Sequence, residues 1–318
     1  MNCTQGGRSR GWAIASQLTF LAAGLVGLTA CAERTTSPPS SSSIAAAVPS
    51  ASVMDEAAVL PAPVEHHTYA LPGSVVQVVM VPPQSGHEVA VAWSGELATL
   101  SQQSQTAGAI AAINAGFFDP QNGLTTSYVM VDGAIVADPR QNPRLMENPD
   151  LQEVLPAILN RSELRIYDCE DGVQYDIATH AAPVPDRCTL AGAVGAGPQL
   201  LPTLTGYEEG FLADNDAGET VRDALGSQWP NARSAVGLKA DGTVVLASAT
   251  QRPETDQPTG LTLAQMADFL ASLGVQKALN LDGGSSTGLY FNGQTYWGRL
   301  DSAGEPIERP IKSVLVVR

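Results

Sequence analysis

The sequence has few of the residues on which several enzyme classes depend. Only four histidines occur among 318 residues, and the last of them is His180. Residues 284–288 match the G-x-S-x-G pattern of a nucleophile elbow, but that fold needs a histidine after the serine. No lysine follows a serine by three positions, and no Gly-Lys-Ser/Thr ending is present. A Ser-x-x-Lys acylation centre and a Walker phosphate loop are therefore both excluded.

Basic residues are also scarce. The chain has 17 lysines and arginines against 32 aspartates and glutamates, which gives a formal net charge of −15. Such a chain does not bind nucleic acid or an anionic membrane through its bulk charge. Any contact with phosphate must therefore come from individual arginines or from main-chain N–H groups.

Cysteine is limited to four positions, which divide among separate roles. Cys3 and Cys31 lie near the amino terminus, which leaves Cys169 and Cys188. In an oxidising compartment this second pair would close a loop as a disulfide, worth about 3 kcal/mol in the chain-entropy model. A zinc site is the alternative, but two cysteines with only the distant His180 form a weak set of ligands.

No cofactor or metal is expected from the remaining sequence. Residues 214–218, Asp-Asn-Asp-Ala-Gly, have the start of a calcium loop, but the glycine comes one position early and no glutamate ends the loop. We interpret this segment as a solvated turn. A divalent cation such as calcium has no other support in the sequence.

The amino terminus is predicted to be an export signal. Arg8 and Arg10 precede an apolar segment, residues 12–28, which is too short and too interrupted by polar residues to span a membrane. Residues 28–31, Leu-Thr-Ala-Cys, then fit the bacterial lipobox, in which Cys31 is lipidated and becomes the first mature residue. Ordinary cleavage nearby with a free cysteine is the alternative.

These features divide the chain into three parts. Residues 1–30 are the signal peptide, residues 31–63 are the lipidated cysteine and a tether rich in Ser, Pro and Ala, and residues 64–318 form one domain. The expected location is the cell envelope, at its periplasmic face or outer membrane. The membrane would be contacted through the amino-terminal lipid alone.

Short strands and glycine turns dominate the domain. Four turn dipeptides, each between two apolar runs, are typical of β-hairpins: Asp132-Gly133, Asp171-Gly172, Asp241-Gly242 and Asn292-Gly293. Helices are predicted near residues 97–106, 149–159 and 262–273. Because the helices are clustered and do not alternate with the strands, the sequence indicates an α+β fold with mixed, largely antiparallel sheets flanked by a few helices.

The most informative segment is Leu-Asn-Leu-Asp-Gly-Gly-Ser-Ser-Thr, residues 279–287. It places Asp282 at the end of a strand predicted at residues 278–281, directly before two glycines and three hydroxyl residues. Gly283 and Gly284 allow a sharp turn and let a ligand approach main-chain N–H groups, while the hydroxyls offer further hydrogen bonds. The alternative is a tight turn whose polar side chains only satisfy the backbone.

Four other segments also place small and polar residues next to an apolar run. These segments are residues 114–120, Asn-Ala-Gly-Phe-Phe-Asp-Pro; residues 195–200, Gly-Ala-Gly-Pro-Gln-Leu; residues 231–238, in which Arg233 leads into a strand; and residues 308–310, Glu-Arg-Pro, before the last strand. In this order and spacing the segments resemble the phosphodiester glycosidase family over about residues 66–318. Residues 118–120, 160–163 and 222–226 are most similar to the family's bacterial secreted branch, of cyanobacterial type.

The resemblance implies hydrolysis of a sugar 1-phosphodiester, the reaction by which the family's lysosomal member removes N-acetylglucosamine. The glycosidic C–O bond breaks, a sugar is released and a phosphomonoester remains, on a glycan of the cell envelope or outside the cell. An ordinary glycosidase uses two carboxyl groups, but the departing phosphate is already a stable anion. One carboxylate and one anion clamp would therefore suffice.

The same resemblance suggests roles for individual residues. Asp282 is expected to be the base or nucleophile at the anomeric carbon, and Arg233 the phosphate partner through its planar fork of donors. Asn114 would orient sugar hydroxyls or the attacking water. The main-chain N–H groups of residues 283–285 would add contacts to the anion.

Further substrate contacts are expected from residues of the resembling segments, namely Gly116, Gly197, Gly283, Gly284, Ser285, Ser286 and Arg309. Asp119 is a reserve second carboxylate, although its position before Pro120 also suits a structural turn. Two alternatives stay open: a non-catalytic envelope lipoprotein that binds glycans, and a phosphodiesterase that cleaves the P–O bond. The expected partner in each case is a carbohydrate phosphodiester, with no nucleic acid.

Overall fold

β-Strands dominate the part of the chain that the computed structural model describes, residues 62–251, 259–301 and 303–318. The strands are β1 (Glu65–Leu71), β2 (Ser74–Val81), β3 (Val89–Ala98), β4 (Ala111–Asn114), β5 (Val129–Val131), β6 (Ala134–Ala137), β7 (Ser162–Cys169), β8 (Gly172–Thr179), β9 (Cys188–Gly195), β10 (Gln199–Leu201), β11 (Leu212–Asp214), β12 (Thr220–Asp223), β13 (Arg233–Lys239), β14 (Val244–Gln251), β15 (Val275–Asn280), β16 (Gly288–Phe291), β17 (Gln294–Trp297) and β18 (Ile311–Val317). The helices are α1 (Leu100–Thr106), α2 (Pro143–Met146), α3 (Leu155–Leu159) and α4 (Leu263–Ser272), with short 3-10 turns at Pro83–Ser85, Pro139–Gln141, Pro149–Leu151 and Gly284–Ser286.

The strands form three larger sheets and one small hairpin. The first sheet has the order β1-β2-β14-β13-β15-β10, the second β17-β16-β4-β18-β3 and the third β6-β5-β9-β7-β8, while β11 pairs with β12 alone. Each of these pairings is antiparallel. The predicted α+β class with largely antiparallel sheets is confirmed.

Alternating side chains place the core on both faces of the first sheet. Along β14, Val245 and Ala247 pack with α4, whereas Val244 and Leu246 face the second and third sheets. On the far face of the second sheet, Leu100 of α1 covers Val314. The two helices therefore flank two sheets, and the third sheet adds its apolar face to the same central core.

Local signals predicted several elements well. Helix α4 begins with a capping box in which Thr262 and Gln265 bond each other's main-chain N–H, and it ends before Gly274, which has a φ of 82°. The hairpin turns use the expected left-handed residues, for example Asn292 and Gly293 with φ values of 46° and 90°. Residues 214–218 form the exposed turn between β11 and β12, as expected of a solvated loop.

Two predicted helices have different bounds from those expected. The helix expected at residues 97–106 begins only at Leu100, because β3 continues to Ala98 and Thr99 caps the helix. The helix expected at residues 149–159 is instead two short pieces, Pro149–Leu151 and Leu155–Leu159. Pro156 has no N–H to donate and its ring clashes with the preceding turn, so a continuous helix cannot pass through it.

Cys169 and Cys188 are joined by a disulfide in the structure, at directly opposite positions at the ends of β7 and β9. The predicted signal peptide, the lipidation at Cys31 and most of the tether lie outside the described residues and stay predictions. In the described part of the chain, no helix is long and apolar enough to cross a membrane.

Candidate active site

Sheet topology brings the predicted site segments to one edge of the fold. Strand β13 is antiparallel to β15, so its first residue, Arg233, lies beside the end of β15 that leads to Asp282. Strand β18 is likewise antiparallel to β4, with Val314 opposite Asn114, so Arg309, just before β18, lies beyond the end of β4. The Asp282 N–H donates to the Ala115 carbonyl at 2.9 Å and joins the two sheet ends.

A polar pocket of about 270 Å³ opens at this edge. Its lining residues come from the segments 224–233, 280–285 and 299–309: Ala224, Leu225, Asn231, Arg233, Asn280, Leu281, Asp282, Gly283, Gly284, Ser285, Arg299 and Arg309. A larger pocket of about 400 Å³ lies near Val81, Lys239 and Val244, at the other end of the first sheet. We take the smaller pocket as the candidate site because it holds Asp282 and the glycine loop.

Asp282 is the one carboxylate that lines the candidate pocket among the described residues. Burial raises the pKa of its carboxyl group to about 6, although the Ser286 hydroxyl, the Arg309 charge and the Gly283 N–H each lower it. That N–H donates to Oδ1 at 2.9 Å, while Ser286 Oγ makes no well-formed hydrogen bond in the described part of the chain. A carboxyl group with this pKa is ionised at neutral pH, so it can attack as a nucleophile, and it accepts a proton more readily than an ordinary aspartate, as a base requires.

Asn114 lies behind Asp282 and does not face the pocket. It is 1% exposed, and its Nδ2 donates to the Asp282 carbonyl at 2.6 Å. Its Oδ1 accepts hydrogen bonds from Ser234 Oγ at 2.6 Å and from the Gly288 N–H at 3.2 Å. Both the Nδ2 and the Oδ1 of Asn114 are therefore already bonded within the protein. We assign Asn114 a positioning role around Asp282 in place of the expected contact with sugar hydroxyls or water.

Arg233 cannot be the bidentate phosphate clamp that the sequence suggested. Its guanidinium is buried and donates four hydrogen bonds to main-chain carbonyls, those of Leu225, Gly226, Trp229 and Leu261, at 2.8–3.1 Å. One N–H of five is left, so two parallel bonds to a phosphate are not available. Burial lowers the pKa of Arg233 to about 10, although the negative charge of Asp223 acts to raise it. Its role in the fold is to hold the loop that forms one wall of the pocket.

Arg309 has the free donors that Arg233 lacks. Its Nη1 donates to Ser285 Oγ at 2.8 Å, and its guanidinium carbon lies 5.1 Å from the Phe118 ring centroid. Arg299, which sequence reasoning missed, is exposed and lines the same pocket. Neither arginine has a carboxylate within ion-pair distance in the described part of the chain. These two cations are therefore available to an anion.

The glycine loop offers fewer free N–H groups than expected. The Gly283 N–H is bonded to the Asp282 side chain, and the Gly284 N–H donates to the Ala232 carbonyl at 2.8 Å. The Ser285 N–H has no partner among the described residues. The predicted set of three main-chain donors is thus reduced to one, at Ser285, whose hydroxyl already contacts Arg309.

Three other predicted contact residues serve the fold and do not line the pocket. A Cβ on Gly116 would lie 2.9 Å from the Gly195 carbonyl, and one on Gly197, where φ is 112°, would collide with the Glu209 carboxylate. Asp119 accepts from the Gln121 N–H and pairs with Arg144 at 2.6 Å. Both glycines are needed for close packing, and Asp119 is a turn residue, the alternative that its position before Pro120 suggested.

Asn280 is a pocket residue that sequence reasoning did not select. It is 1% exposed and its Nδ2 donates to the Gly197 carbonyl at 2.8 Å, but its buried Oδ1 has no partner among the described residues. A buried acceptor without a partner is costly unless water or a ligand donates to it. The side chain therefore offers an acceptor for a substrate hydroxyl or an ordered water. The apolar residues around Asn280 hid this signal in the sequence.

No group of three or more His, Cys, Asp or Glu residues that could hold a metal ion occurs in the described part of the chain. The pocket chemistry instead consists of one carboxylate, arginine donors, amides and hydroxyls. Hard divalent cations need several oxygen ligands, usually more than one of them anionic. The described lining residues do not make such a set.

Comparisons with known proteins identify a family and a fold. The family model for phosphodiester glycosidase matches residues 107–318. The catalytic domain of zebrafish N-acetylglucosamine-1-phosphodiester alpha-N-acetylglucosaminidase, solved in a form auto-inhibited by its pro-peptide, is similar in fold, with a TM-score of 0.57 and 17% identity over 80% of this chain and 82% of that one.

Two bacterial structures have the same fold. A Synechocystis protein gives a TM-score of 0.53 at 18% identity over 80% of this chain, which spans 61% of that one. A Burkholderia pseudomallei protein gives 0.55 at 16% identity, with 77% and 74% of the two chains covered. No curated protein matches. At these identities the structures establish the fold, and the family match rests on the sequence.

Proposed function

Because the chain belongs to the phosphodiester glycosidase family, we propose that it hydrolyses a sugar 1-phosphodiester at the glycosidic C–O bond. The observation that carries this proposal is the pairing of one carboxylate of raised pKa with two available arginines in the same pocket. Such a pocket suits a substrate whose leaving group is an anion. It lacks, among its described lining residues, the second carboxyl group that would protonate an alkoxide leaving group.

Asp282 acts at the anomeric carbon. As a base, its carboxylate takes a proton from water while the water oxygen bonds to the anomeric carbon; as a nucleophile, it forms a glycosyl ester that water then hydrolyses. In both cases the electron pair of the breaking C–O bond leaves on the phosphate oxygen. Asn114 contributes by fixing the main chain of Asp282, since its Nδ2 bonds that carbonyl at 2.6 Å.

The phosphate end of the substrate contacts Arg309, with Arg299 beside it and the Ser285 N–H as a neutral donor. The bond from Arg309 to Ser285 Oγ and its stacking over Phe118 hold the guanidinium in place and leave its remaining N–H groups free. A planar fork of this kind binds phosphate through parallel hydrogen bonds. This assignment replaces Arg233, which supports the pocket wall.

The setting that we propose is the cell envelope. The amino-terminal signal and the Cys31 lipobox favour an exported lipoprotein, and the tether would let the domain reach glycans near the membrane. A carbohydrate phosphodiester of the envelope or of the extracellular space is then the natural substrate class. The sugar and the group on the other side of the phosphate are left to experiment.

A panel of α- and β-linked sugar 1-phosphodiesters tests the proposal. The panel should begin with N-acetylglucosamine, the sugar named for the zebrafish relative, and should include alkyl glycosides as controls. The proposal expects free sugar and a phosphomonoester from at least one phosphodiester, with far slower turnover of alkyl glycosides. Release of no sugar, together with undiminished glycan binding by Asp282→Asn, would favour a binding protein.

A further inference from the structure

Trp229 is the most exposed large apolar side chain in the described part of the chain, at 70% of its surface. Single exposed apolar residues are common on proteins, but a tryptophan leaves more apolar surface in water than other side chains do. Its neighbours in the sequence line the candidate pocket, since Leu225 and Asn231 both belong to the wall. The position of Trp229 beside the pocket therefore calls for a functional explanation.

The contacts of Arg233 place Trp229 close to the glycine loop. A Cβ built on Gly283 would lie 4.0 Å from Arg233 Cδ, and Arg233 Nη2 donates to the Trp229 carbonyl at 3.0 Å. The outer end of the Arg233 side chain, from Cδ to Nη2, thus lies between the glycine loop and the main chain of Trp229. The indole itself does not line the pocket, but its main chain is bonded to Arg233, which does.

The loop that carries Trp229 is held in a fixed conformation. The Trp229 N–H donates to the Gly226 carbonyl at 3.0 Å, and that carbonyl also accepts from Arg233. Pro230 follows directly and restricts the backbone of both residues. An exposed tryptophan on a rigid loop can bind a ligand with little loss of conformational entropy.

The chemistry around Trp229 suits a sugar ring. The arginines of the pocket disfavour a cationic ligand over the indole, although an isolated tryptophan would accept one. The adjacent side chains are amides: Gln228 is exposed, and Asn231 uses its Oδ1 on the Ala232 N–H, while its Nδ2 has no partner among the described residues. Amides can donate to and accept from hydroxyl groups, and the flat indole can cover the apolar face of a pyranose.

We propose that Trp229 is the platform of an outer subsite that binds a second sugar ring of the substrate, beyond the sugar phosphodiester in the pocket. This inference rests on the proposed function and extends it, because it names the substrate class as an oligosaccharide or polymeric glycan phosphodiester. The second ring is attached either to the reacting sugar or to the far side of the phosphate. Trp229 is a specificity residue, and Asp282 performs the chemistry without it.

Binding measured in the Asp282→Asn background tests the subsite without consuming the ligand. Three ligands are compared by calorimetry: a monosaccharide 1-(methyl phosphate), the same compound extended by a disaccharide on its sugar, and one extended by a disaccharide on its phosphate. Adding Trp229→Ala should weaken one extended ligand about tenfold, the scale of a lost aromatic contact, and leave the short ligand unchanged. Trp229→Phe should restore most of that affinity.

Two further readouts separate the subsite from a structural effect. The extended ligand should change the tryptophan fluorescence of the Trp229-containing protein and not that of Trp229→Phe, in which the other tryptophans of the sequence, Trp12, Trp93 and Trp297, are unchanged. Ile135→Ala removes another exposed apolar side chain, on β6 of the third sheet and outside the pocket lining, and should change no affinity.

Equal loss of affinity for the short and extended ligands on Trp229→Ala, or no loss for either extended ligand, would overturn the subsite. The subsite would also be overturned if Trp229→Ala weakened binding of a nucleotide sugar but changed the binding of neither disaccharide-extended ligand. Trp229-dependent binding of an extended glycan by a protein that releases no sugar would support the subsite and count against the proposed reaction, so the two failures are distinguishable.

Discussion

Replacing Asp282 by asparagine should stabilise the protein while lowering its turnover at least about a hundredfold. Burial raises the pKa of the carboxyl group to about 6, whereas an aspartate in the unfolded chain titrates near 3.9. The folded state therefore binds the proton more tightly, and this group's contribution to stability falls as the pH rises through the window from about 4 to 6. Above that window the carboxylate is ionised in both states, and its burial lowers the free energy of unfolding by the full amount.

The magnitude follows from the size of the shift. About two pKa units at 1.36 kcal/mol each give up to about 3 kcal/mol at pH 8 and almost nothing at pH 4. Asparagine resembles the neutral acid and can still accept from the Gly283 N–H, so Asp282→Asn should recover that free energy. In a domain of this size the gain corresponds to a Tm increase of roughly 5–10 °C at pH 8.

Thermal and urea unfolding of the two proteins at pH 4, 6 and 8 measure this difference. Asp171→Asn, at an exposed hairpin turn, is the matched control and should change stability by less than about 0.5 kcal/mol at each pH. Turnover by Asp282→Asn should fall at least about a hundredfold, and wild-type kcat/KM should decline below pH about 6 as the carboxylate is protonated. Equal or lower stability of Asp282→Asn at pH 8 would refute the inference that ionisation of the Asp282 carboxyl group destabilises the fold.

Other predictions follow from the remaining site residues. Arg309→Ala should raise KM for a phosphodiester at least about tenfold, with Arg309→Lys intermediate, and unchanged initial-rate kinetics would remove it from the phosphate site. Arg233→Lys should cost at least about 2 kcal/mol in urea unfolding because carbonyls lose their donors, and full stability with weakened phosphate binding would restore the clamp role. Gly197→Ala should cost about 2 kcal/mol or more, since its Cβ collides with Glu209 at a positive φ, and a neutral effect on Tm would contradict that packing. Cys31→Ser should release the protein from membranes or leave its precursor unprocessed, whereas wild type recovered in solution with a free thiol at Cys31 would contradict lipidation.

Local chemistry made much of the fold predictable. The capping box of α4, the glycine at its end and the hairpin dipeptides act within a few residues, so the sequence displays them directly. Strand β9 carries no comparable local signal, since it pairs with β5 and β7, which lie earlier in the chain. Thr99 was not identified as a helix cap, because the predicted helix began at residue 97, within the last residues of β3.

The sequence pointed to Asp282 and Arg309, which line one pocket in the structure, and it said much less about the residues around them. Asp282 directly follows an apolar strand and Arg309 shortly precedes one, and both positions can be read from the order of residues in the sequence. The roles of Arg233 and Asn114 depend on carbonyls that are distant in sequence, such as Leu261 and Asp282, so no local signal shows that their donors are already used. An arginine and an asparagine within apolar strands were nevertheless a sign of burial, and burial favours positioning over direct contact with substrate.

The most direct test of the proposed reaction is hydrolysis of a sugar 1-phosphodiester in water labelled with heavy oxygen, with wild type and Asp282→Asn compared by mass spectrometry. Attack at the anomeric carbon predicts that the label enters the released sugar and that the phosphomonoester is unlabelled. The Asp282→Asn variant should give neither product at a comparable rate. Label found in the phosphate would show P–O cleavage by a phosphodiesterase and would contradict the role of Asp282 at the anomeric carbon.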